Sequence, residues 1–218
     1  MDAFLDYLIK KSDVSKEFSI KGHSSKKKRI SEDSLNYKKI SIPSVESYVV
    51  FDFETTGMNP IVNRIIEIGA VKVIDNNIVD SFSQLINPMQ YITTRISNVV
   101  NITNDMVEDC PIIEDVLPNF LEFIADFPLV AHNARFDMGF LINNAHRLGY
   151  EVNNVVLDTL LLSRKFNEDC IKHNLNYLTK HFNVKLEHAH RAYYDALATC
   201  SIYKIIQSRY KNTLAFND

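Results

Sequence analysis

The order of the apolar segments is the sequence feature that most constrains the fold of this chain. Three strand-like segments come first, at residues 49–54, 64–74 and 76–86, and the polar run Asp75–Asn77 predicts a tight turn between the last two. Two short buried strands then alternate with five helices. These strands are predicted at 128–133 and 155–159, and the helices at 113–124, 137–148, 159–165, 174–182 and 191–209. Strands followed by strand–helix alternation indicate an α/β fold, with a mixed sheet and helices packed on its faces.

Residues 1–47 differ in composition from the remainder of the 218-residue chain. They contain ten Lys or Arg and seven Asp or Glu, and the stretch 21–34 lacks apolar periodicity. We therefore interpret residues 1–47 as a basic N-terminal extension or linker and residues 48–218 as the folded domain. The basic run Lys26–Arg29 is either a solvated surface or an arm that contacts nucleic acid. The domain holds 14 basic and 20 acidic side chains, so its net charge alone would not attract a phosphate backbone.

Composition excludes several classes of protein. The five glycines, at positions 22, 57, 69, 139 and 149, cannot form the glycine-rich loop of a dinucleotide-binding fold or of a P-loop. The three cysteines form no Cys-x-x-Cys pair, which argues against a zinc knuckle or a disulfide framework. No apolar run approaches the roughly 18 residues of a membrane span, and the first residues do not resemble a secretory signal. We therefore expect a cytoplasmic protein that does not contact a membrane.

Two carboxylates, Asp52 and Glu54, lie at the end of the first strand. Strand alternation places both acids on one face, where adjacent like charges are unfavourable. A strand that simply ends in solvent would explain an isolated Asp-x-Glu. This strand, however, is rich in Val and Phe and leads into Thr55-Thr56-Gly57, so the acids lie at the carboxyl end of a buried strand. Ligand and metal sites of α/β sheets favour that end.

Two further carboxylates follow other buried elements. Asp137 comes directly after the strand at 128–133, near a helix start, where an N-cap is the alternative role. Asp195 lies on the apolar stripe of the last helix, where a carboxylate is costly unless it is paired or binds a metal. His190 precedes that helix and could be a cap, a ligand or a base. His188 and His190 could also suggest zinc, but no further ligand stands at a supporting spacing.

The four carboxylates together predict a metal site. Clustered carboxylates cannot all remain ionised without a counter-charge. A site made of oxygen ligands selects hard cations, Mg²⁺ or Mn²⁺, rather than zinc. We therefore expect two divalent cations, whose charge would also convert an acidic cleft into one that binds phosphate.

Three segments around these acids resemble the motifs of a known enzyme family. FDFETTGMNP with NRIIEIGAVKV, then AHNARFDMGFL, then HAHRAYYDALAT resemble the three motifs of the DnaQ-like 3′–5′ exonucleases, in the DEDDh subgroup. The resemblance covers about residues 47–210 and extends to the proofreading exonucleases of bacterial replicative polymerases, the epsilon subunit and PolC. It implies a ribonuclease-H-like fold, a five-stranded mixed sheet flanked by helices. One segment departs from the pattern, since Val100 and Asn101 stand where the family often has His and Gly.

The resemblance also implies roles for individual residues. The ligands of the two cations would be Asp52, Glu54, Asp137 and Asp195. His190 would be the general base of a two-metal phosphodiester hydrolysis. The side chains that contact or support the substrate would be Thr55, Thr56, Phe136 and Asp158. The substrate would be the 3′ end of a single strand, with DNA favoured, the product a nucleoside 5′-monophosphate, and a DNA polymerase a partner.

Two other functions are compatible with the same residues. An RNA-trimming 3′–5′ exonuclease would share the five catalytic residues and differ in how it treats a 2′-hydroxyl group, which the sequence does not show. A non-catalytic nucleic-acid-binding module would keep the fold but lose one of the acids, and none is lost here.

Overall fold

The structure is a computed structural model that describes residues 37–215. Five strands form one sheet in the order β3-β2-β1-β4-β5. They are β1 (Tyr48–Thr55), β2 (Ile65–Ile74), β3 (Asn77–Leu85), β4 (Leu129–Ala131) and β5 (Val156–Asp158). The first three strands pair antiparallel, whereas β4 is parallel to β1 and β5 is parallel to β4. The predicted five-stranded mixed sheet is therefore confirmed.

The described residues contain seven helices on the two faces of this sheet. They are α1 (Thr94–Val100), α2 (Asn104–Val107), α3 (Ile113–Ile124), α4 (Ala134–Arg147), α5 (Thr159–Phe166), α6 (Leu175–His181) and α7 (Ala192–Ala215). The last five correspond to the predicted helices, although α4 begins at Ala134 and α7 continues to Ala215. Within 37–215, no helix has both the length and the apolar character that crossing a membrane would require.

Alternation along β1 places its apolar residues in two core layers and its acids in a defined position. Phe51 packs in a cluster with residues of α3 and α4. On the opposite face, Tyr48 and Val50 pack with residues of α7. Asp52 and Glu54 continue this second face toward the carboxyl end of β1, so they project on the side of the sheet that α7 covers.

The two short helices α1 and α2 were not predicted from the sequence. They have seven and four residues, too few for a repeating apolar pattern to be detected. Their apolar residues pack on Ile66 of β2 in a separate small cluster. The C-cap residue of α1 is Asn101, whose φ of 53° lies in the left-handed region. Asn tolerates that conformation, which is how it can stand where the family often has Gly.

Residues 37–46, which the sequence assigned to the extension, contact the domain. The Ile40 N–H donates to the Val156 carbonyl (2.9 Å), and the Val156 N–H donates to the Lys38 carbonyl (2.8 Å), so this segment runs parallel to β5 at the sheet edge. Gln207 of α7 donates to the Val45 carbonyl (2.6 Å). We propose that the folded domain starts at about Tyr37. Residues 1–36, with their basic run, lie outside the described residues.

Candidate active site

The two acids of β1 lie directly opposite residues of β2. Asp52 is the cross-strand partner of Gly69 and Glu54 is the partner of Glu67, both in β2. Directly opposed residues of an antiparallel pair project from the same face. Asp52 and Glu54 are only 4% and 5% exposed, so the alternative of a solvated strand end is wrong.

Glu54, His190 and Asp195 come together at the start of α7. The carboxylate oxygens of Glu54 and Asp195 and a ring nitrogen of His190 lie within 4.8 Å of one another. The backbone N–H of His190 donates to Asp195 Oδ2 (3.0 Å), and His190 adopts a φ of 64°. Asp195 is buried on a helical stripe with Thr199 and Ile202, as the sequence predicted. The Asp195 carboxylate therefore lies on the face of α7 that packs against the sheet.

Asp137 reaches the same strand from the opposite layer. It lies in the first turn of α4 and is fully buried. Since β4 pairs with β1 only at Val49 and Val50, the N–H of Phe53 lies beyond the end of β4, and it donates to Asp137 Oδ1 (3.1 Å). The N-cap of α4 is Asn133, so the alternative role of Asp137 as an N-cap is wrong. Asp137 instead accepts from the backbone N–H of Phe53, the residue between Asp52 and Glu54.

The donors that meet here fit a divalent cation. Buried carboxylates from β1, α4 and α7 converge at one end of the sheet, and carboxylate oxygens are preferred ligands of hard divalent cations. A second group of possible ligands is formed by Asp169, Cys170 and His181. There the guanidinium of Arg209 binds both oxygens of Asp169 through its two terminal nitrogens. That ion pair satisfies the Asp169 carboxylate, so the first group is the better cation site.

The two threonines predicted to contact substrate form the turn after β1. The Thr55 hydroxyl donates to the Gly57 carbonyl (2.7 Å). The Thr56 hydroxyl donates to Gln90 Oε1 (2.5 Å) and accepts from the Arg64 N–H (2.9 Å). Both hydroxyls thus stabilise the loop beside Glu54, and their contact with substrate stays a prediction.

The other two predicted substrate residues also have structural partners. The rings of Phe136 and Phe140 pack with their centroids 5.1 Å apart. Asp158 Oδ1 accepts from the Leu160 N–H (2.9 Å), which caps α5, and from the Asn133 N–H (3.1 Å), which holds the turn before α4. Burial raises the pKa of the Asp158 carboxyl, against the opposing effect of these hydrogen bonds. Asp158 therefore supports the turn that leads into α4, the helix that carries Asp137.

Two charged residues that lie next to the site were not identified from the sequence. Glu67 of β2 is 1% exposed and forms an ion pair with Arg191, the residue that follows His190. The only local signal was an acid inside the apolar run IIEIGAV, together with a basic residue directly after the candidate base.

The sequence of this chain is similar to segments of proteins named DNA polymerase III PolC-type. The DNA polymerase III PolC-type of Caldanaerobacter subterraneus subsp. tengcongensis is 49% identical over 156 residues, which are 72% of this chain and 11% of that protein. The corresponding protein of Clostridium perfringens is 44% identical over 173 residues, 79% of this chain and 12% of that protein. The chain thus matches only about a tenth of the length of these relatives.

Solved structures share the fold. Exonuclease I of E. coli, in complex with a dT13 oligonucleotide, superimposes with a TM-score of 0.67 at 17% identity, over 79% of this chain and 43% of that one. Exonuclease X, in complex with 5′ overhanging duplex DNA, superimposes with a TM-score of 0.57 at 30% identity, over 76% of this chain and 92% of that one. The exonuclease family model RNase_T matches residues 49–203, a span that includes all five predicted catalytic residues. The chain therefore belongs to the RNase_T exonuclease family, and the resemblance to DnaQ-like exonucleases is confirmed.

Proposed function

We propose that this domain is a metal-dependent 3′–5′ exonuclease that hydrolyses single-stranded DNA to nucleoside 5′-monophosphates. The observation that carries the proposal is the meeting of Glu54, His190 and Asp195 within 4.8 Å. Asp137 joins this group through its hydrogen bond to the N–H of Phe53, which precedes Glu54 in β1. Membership of an exonuclease family supports the reaction class. The DNA bound in the solved structures of exonuclease I and exonuclease X supports DNA as the substrate.

Four carboxylates would hold two cations, which we propose to be Mg²⁺ or Mn²⁺. These ligands are Asp52, Glu54, Asp137 and Asp195. When bound, such cations lower the pKa of a coordinated water and neutralise charge on the phosphate and the leaving oxygen. Their positive charge would also offset the net negative charge of the described residues, which hold 16 basic and 20 acidic side chains.

His190 is the residue that we propose to take the proton of the attacking water. Imidazole titrates near neutral pH, so it can accept a proton there without being protonated beforehand. The hydrogen bond from the His190 N–H to Asp195 fixes the backbone from which the ring projects. This one hydrogen bond thereby orients both the proposed base, His190, and the Asp195 carboxylate. The bond broken is the one between phosphorus and the 3′ oxygen of the preceding nucleotide.

The direct test uses single strands labelled at the 5′ or the 3′ end, as DNA and as RNA, with Mg²⁺, Mn²⁺ or EDTA. We expect immediate release of the 3′ label as a mononucleotide and progressive shortening of the 5′-labelled DNA. EDTA should abolish both, and Asp52→Ala should be inactive with either metal. Full activity in EDTA, or release from the 5′ end, would contradict the proposal. Faster shortening of RNA than of DNA would favour the RNA-trimming alternative.

A DNA polymerase is the protein partner that we propose. The relatives that match this domain are polymerases, and the matching segment forms only 11% or 12% of their length. A proofreading role predicts that the purified chain co-elutes with a PolC-type polymerase in size-exclusion chromatography. Independent elution at micromolar concentrations would argue for an exonuclease that acts alone.

A further inference from the structure

A buried carboxylate lies next to the catalytic strand without belonging to the predicted ligand set. Glu67 of β2 is directly opposite Glu54 of β1, so the two acids project from the same face of the sheet. Glu67 is only 1% exposed. Like charges that face each other across two strands are unfavourable, and a buried charge is costly unless it is paired. The position of Glu67 therefore calls for a specific partner.

That partner is the segment which enters α7. The Arg191 side chain donates from Nη2 to Glu67 Oε1 (2.8 Å) and from Nε to both oxygens (3.0 and 3.2 Å). The backbone N–H of Ala192, the first residue of α7, donates to Glu67 Oε2 (2.9 Å). The carboxylate thus fixes both the residue before the helix and the helix N-terminus to β2.

This attachment lies directly beside the base. His190 precedes Arg191, and the His190 N–H is bound by Asp195 one turn into the helix. The His190 backbone has a φ of 64°, a conformation that residues other than glycine rarely adopt. Two carboxylates therefore fix the backbone around His190. Asp195 accepts from the N–H of His190 itself, and Glu67 binds the two residues that follow it. The hydrogen bond to Glu67 is the main cause that raises the pKa of Arg191.

We propose that Glu67 and Arg191 are positioning residues for the reaction proposed above. They hold the start of α7 so that the His190 ring and the Asp195 carboxylate face Glu54. This inference depends on the proposed function for its catalytic part. Its structural part, the placement of Asp195 toward a divalent cation, is independent of turnover.

An ion pair near the other end of α7 provides the control. There, Arg209 binds both oxygens of Asp169 through its guanidinium, in the same two-point manner. Arg191→Lys and Arg209→Lys each keep the positive charge and remove the planar fork that makes a two-point contact. The two variants make the same chemical change at opposite ends of α7, and they differ in distance from His190. The carboxylate partner is buried for Arg191 and exposed for Arg209.

The experiment compares both variants with the unaltered full chain in three measurements. These are Mn²⁺ binding by calorimetry, single-turnover cleavage of a DNA oligonucleotide at saturating Mn²⁺, and the thermal unfolding midpoint. For Arg191→Lys we expect Mn²⁺ affinity to fall about tenfold and the cleavage rate about 100-fold, because the ligand and the base are displaced. Single-turnover cleavage over a series of oligonucleotide concentrations also gives the concentration at half-maximal rate, which should change less than about threefold. For Arg209→Lys we expect wild-type affinity and rate.

Each outcome decides between positioning and simple stabilisation. Wild-type Mn²⁺ affinity and rate in Arg191→Lys would overturn the inference, and so would equal losses in Arg209→Lys. If Arg191→Lys does not fold, Glu67→Gln replaces it, since the amide oxygen can still accept from Ala192, and the same losses are expected. If the unaltered chain cleaves no strand, the proposed function fails, while the Mn²⁺ comparison still tests the positioning of Asp195.

Discussion

Gly69 of β2 lies directly against the main chain of Tyr193 in the first turn of α7, where a Cβ atom at Gly69 would overlap the backbone. Gly69 is also the cross-strand partner of Asp52. The absence of a side chain thus sets how closely α7 approaches the strand that carries the acids. Any larger residue would push the helix, and with it Asp195, away from Asp52.

Gly69→Ala should therefore damage both the fold and the site. We expect the free energy of unfolding to fall by about 1–3 kcal/mol, the range for an overpacked interior, and the single-turnover rate to fall with it. Urea unfolding and cleavage at saturating Mn²⁺ measure the two effects. Gly139→Ala is the control, because its Cβ would lie at an ordinary 3.5 Å from Pro60 Cγ, within a helix that favours Ala. Equal effects of the two substitutions would show that the contact with α7 is unimportant.

Asp137 combines a structural bond with a predicted ligand role, and two substitutions separate them. Asp137→Asn keeps an oxygen that can accept from the Phe53 N–H, so we expect nearly wild-type stability. Loss of the ligand charge should still lower the cleavage rate by more than about 100-fold, beyond the usual effect of an outer-sphere residue. Asp137→Ala should lose the same activity and also about 1–3 kcal/mol, because a buried donor loses its acceptor. An active Asp137→Asn variant would remove Asp137 from the ligand set.

The strands and acids were predictable because their signals are local. Alternation within β1 places Asp52 and Glu54 on one face, and helical spacing places Asp195 on an apolar stripe, so each residue's orientation follows from its own segment. The convergence of these segments followed from the rule that sites form at the carboxyl ends of strands. In the structure the carboxylates of Glu54 and Asp195 lie within 4.8 Å of each other, while their role as metal ligands stays a prediction.

The parts that were missed depend on contacts between distant segments. Glu67 and Arg191 are separated by 124 positions, and nothing near either residue identifies its partner. The Asp137 contact with Phe53 arises because β4 is short, so the Phe53 N–H of β1 lies beyond the end of β4. The apolar run at 128–133 did not reveal how short this strand is. Likewise, the packing of residues 37–46 depends on a free edge at β5, which exists only in the assembled sheet.

His190 should be distinguishable from the neighbouring His188 by its effect on chemistry. His190→Asn removes the base but suits the left-handed backbone, so the fold should be retained. We expect the rate to fall by about 10²–10⁴, the range for general acid–base catalysis, with Mn²⁺ affinity nearly unchanged. His188→Ala should leave the rate intact, since that ring packs against Tyr194 with centroids 4.7 Å apart. A large loss of Mn²⁺ affinity in His190→Asn would instead identify His190 as a ligand.

Asp158 predicts a pH dependence of stability. Because burial raises its pKa in the folded state, the protonated carboxyl favours folding, and that stability is lost as pH rises from about 4 through the raised pKa. Asp158→Asn keeps the cap of α5 without the charge, so its stability relative to wild type should increase over the same range. Relative to Asp158→Asn, Asp158→Ala should lose about 1 kcal/mol at every pH, because the cap is gone. Urea unfolding at pH 4 and pH 7 tests this, and a parallel pH response of wild type and Asp158→Asn would contradict it.

Two truncations test where the folded domain begins. A chain that starts at Tyr37 keeps the pairing of Ile40 with Val156 and the bond from Gln207 to Val45, so it should unfold like the full chain and cleave short single strands. A chain that starts at residue 48 loses those bonds and the burial of Ile40 and Val45. We expect a loss on the order of 3 kcal/mol or more.

The truncation to residue 48 would also open the edge of β5, which favours aggregation through unpaired strand groups. Chemical denaturation and light scattering at equal concentrations distinguish the two chains. Removal of residues 1–36 takes away eight Lys or Arg and six Asp or Glu, so binding to long DNA should weaken and depend less on salt. A stable, monodisperse chain from residue 48 would restore the boundary at residue 47. Loss of folding in the chain from Tyr37 would show that residues 1–36 are required by the domain.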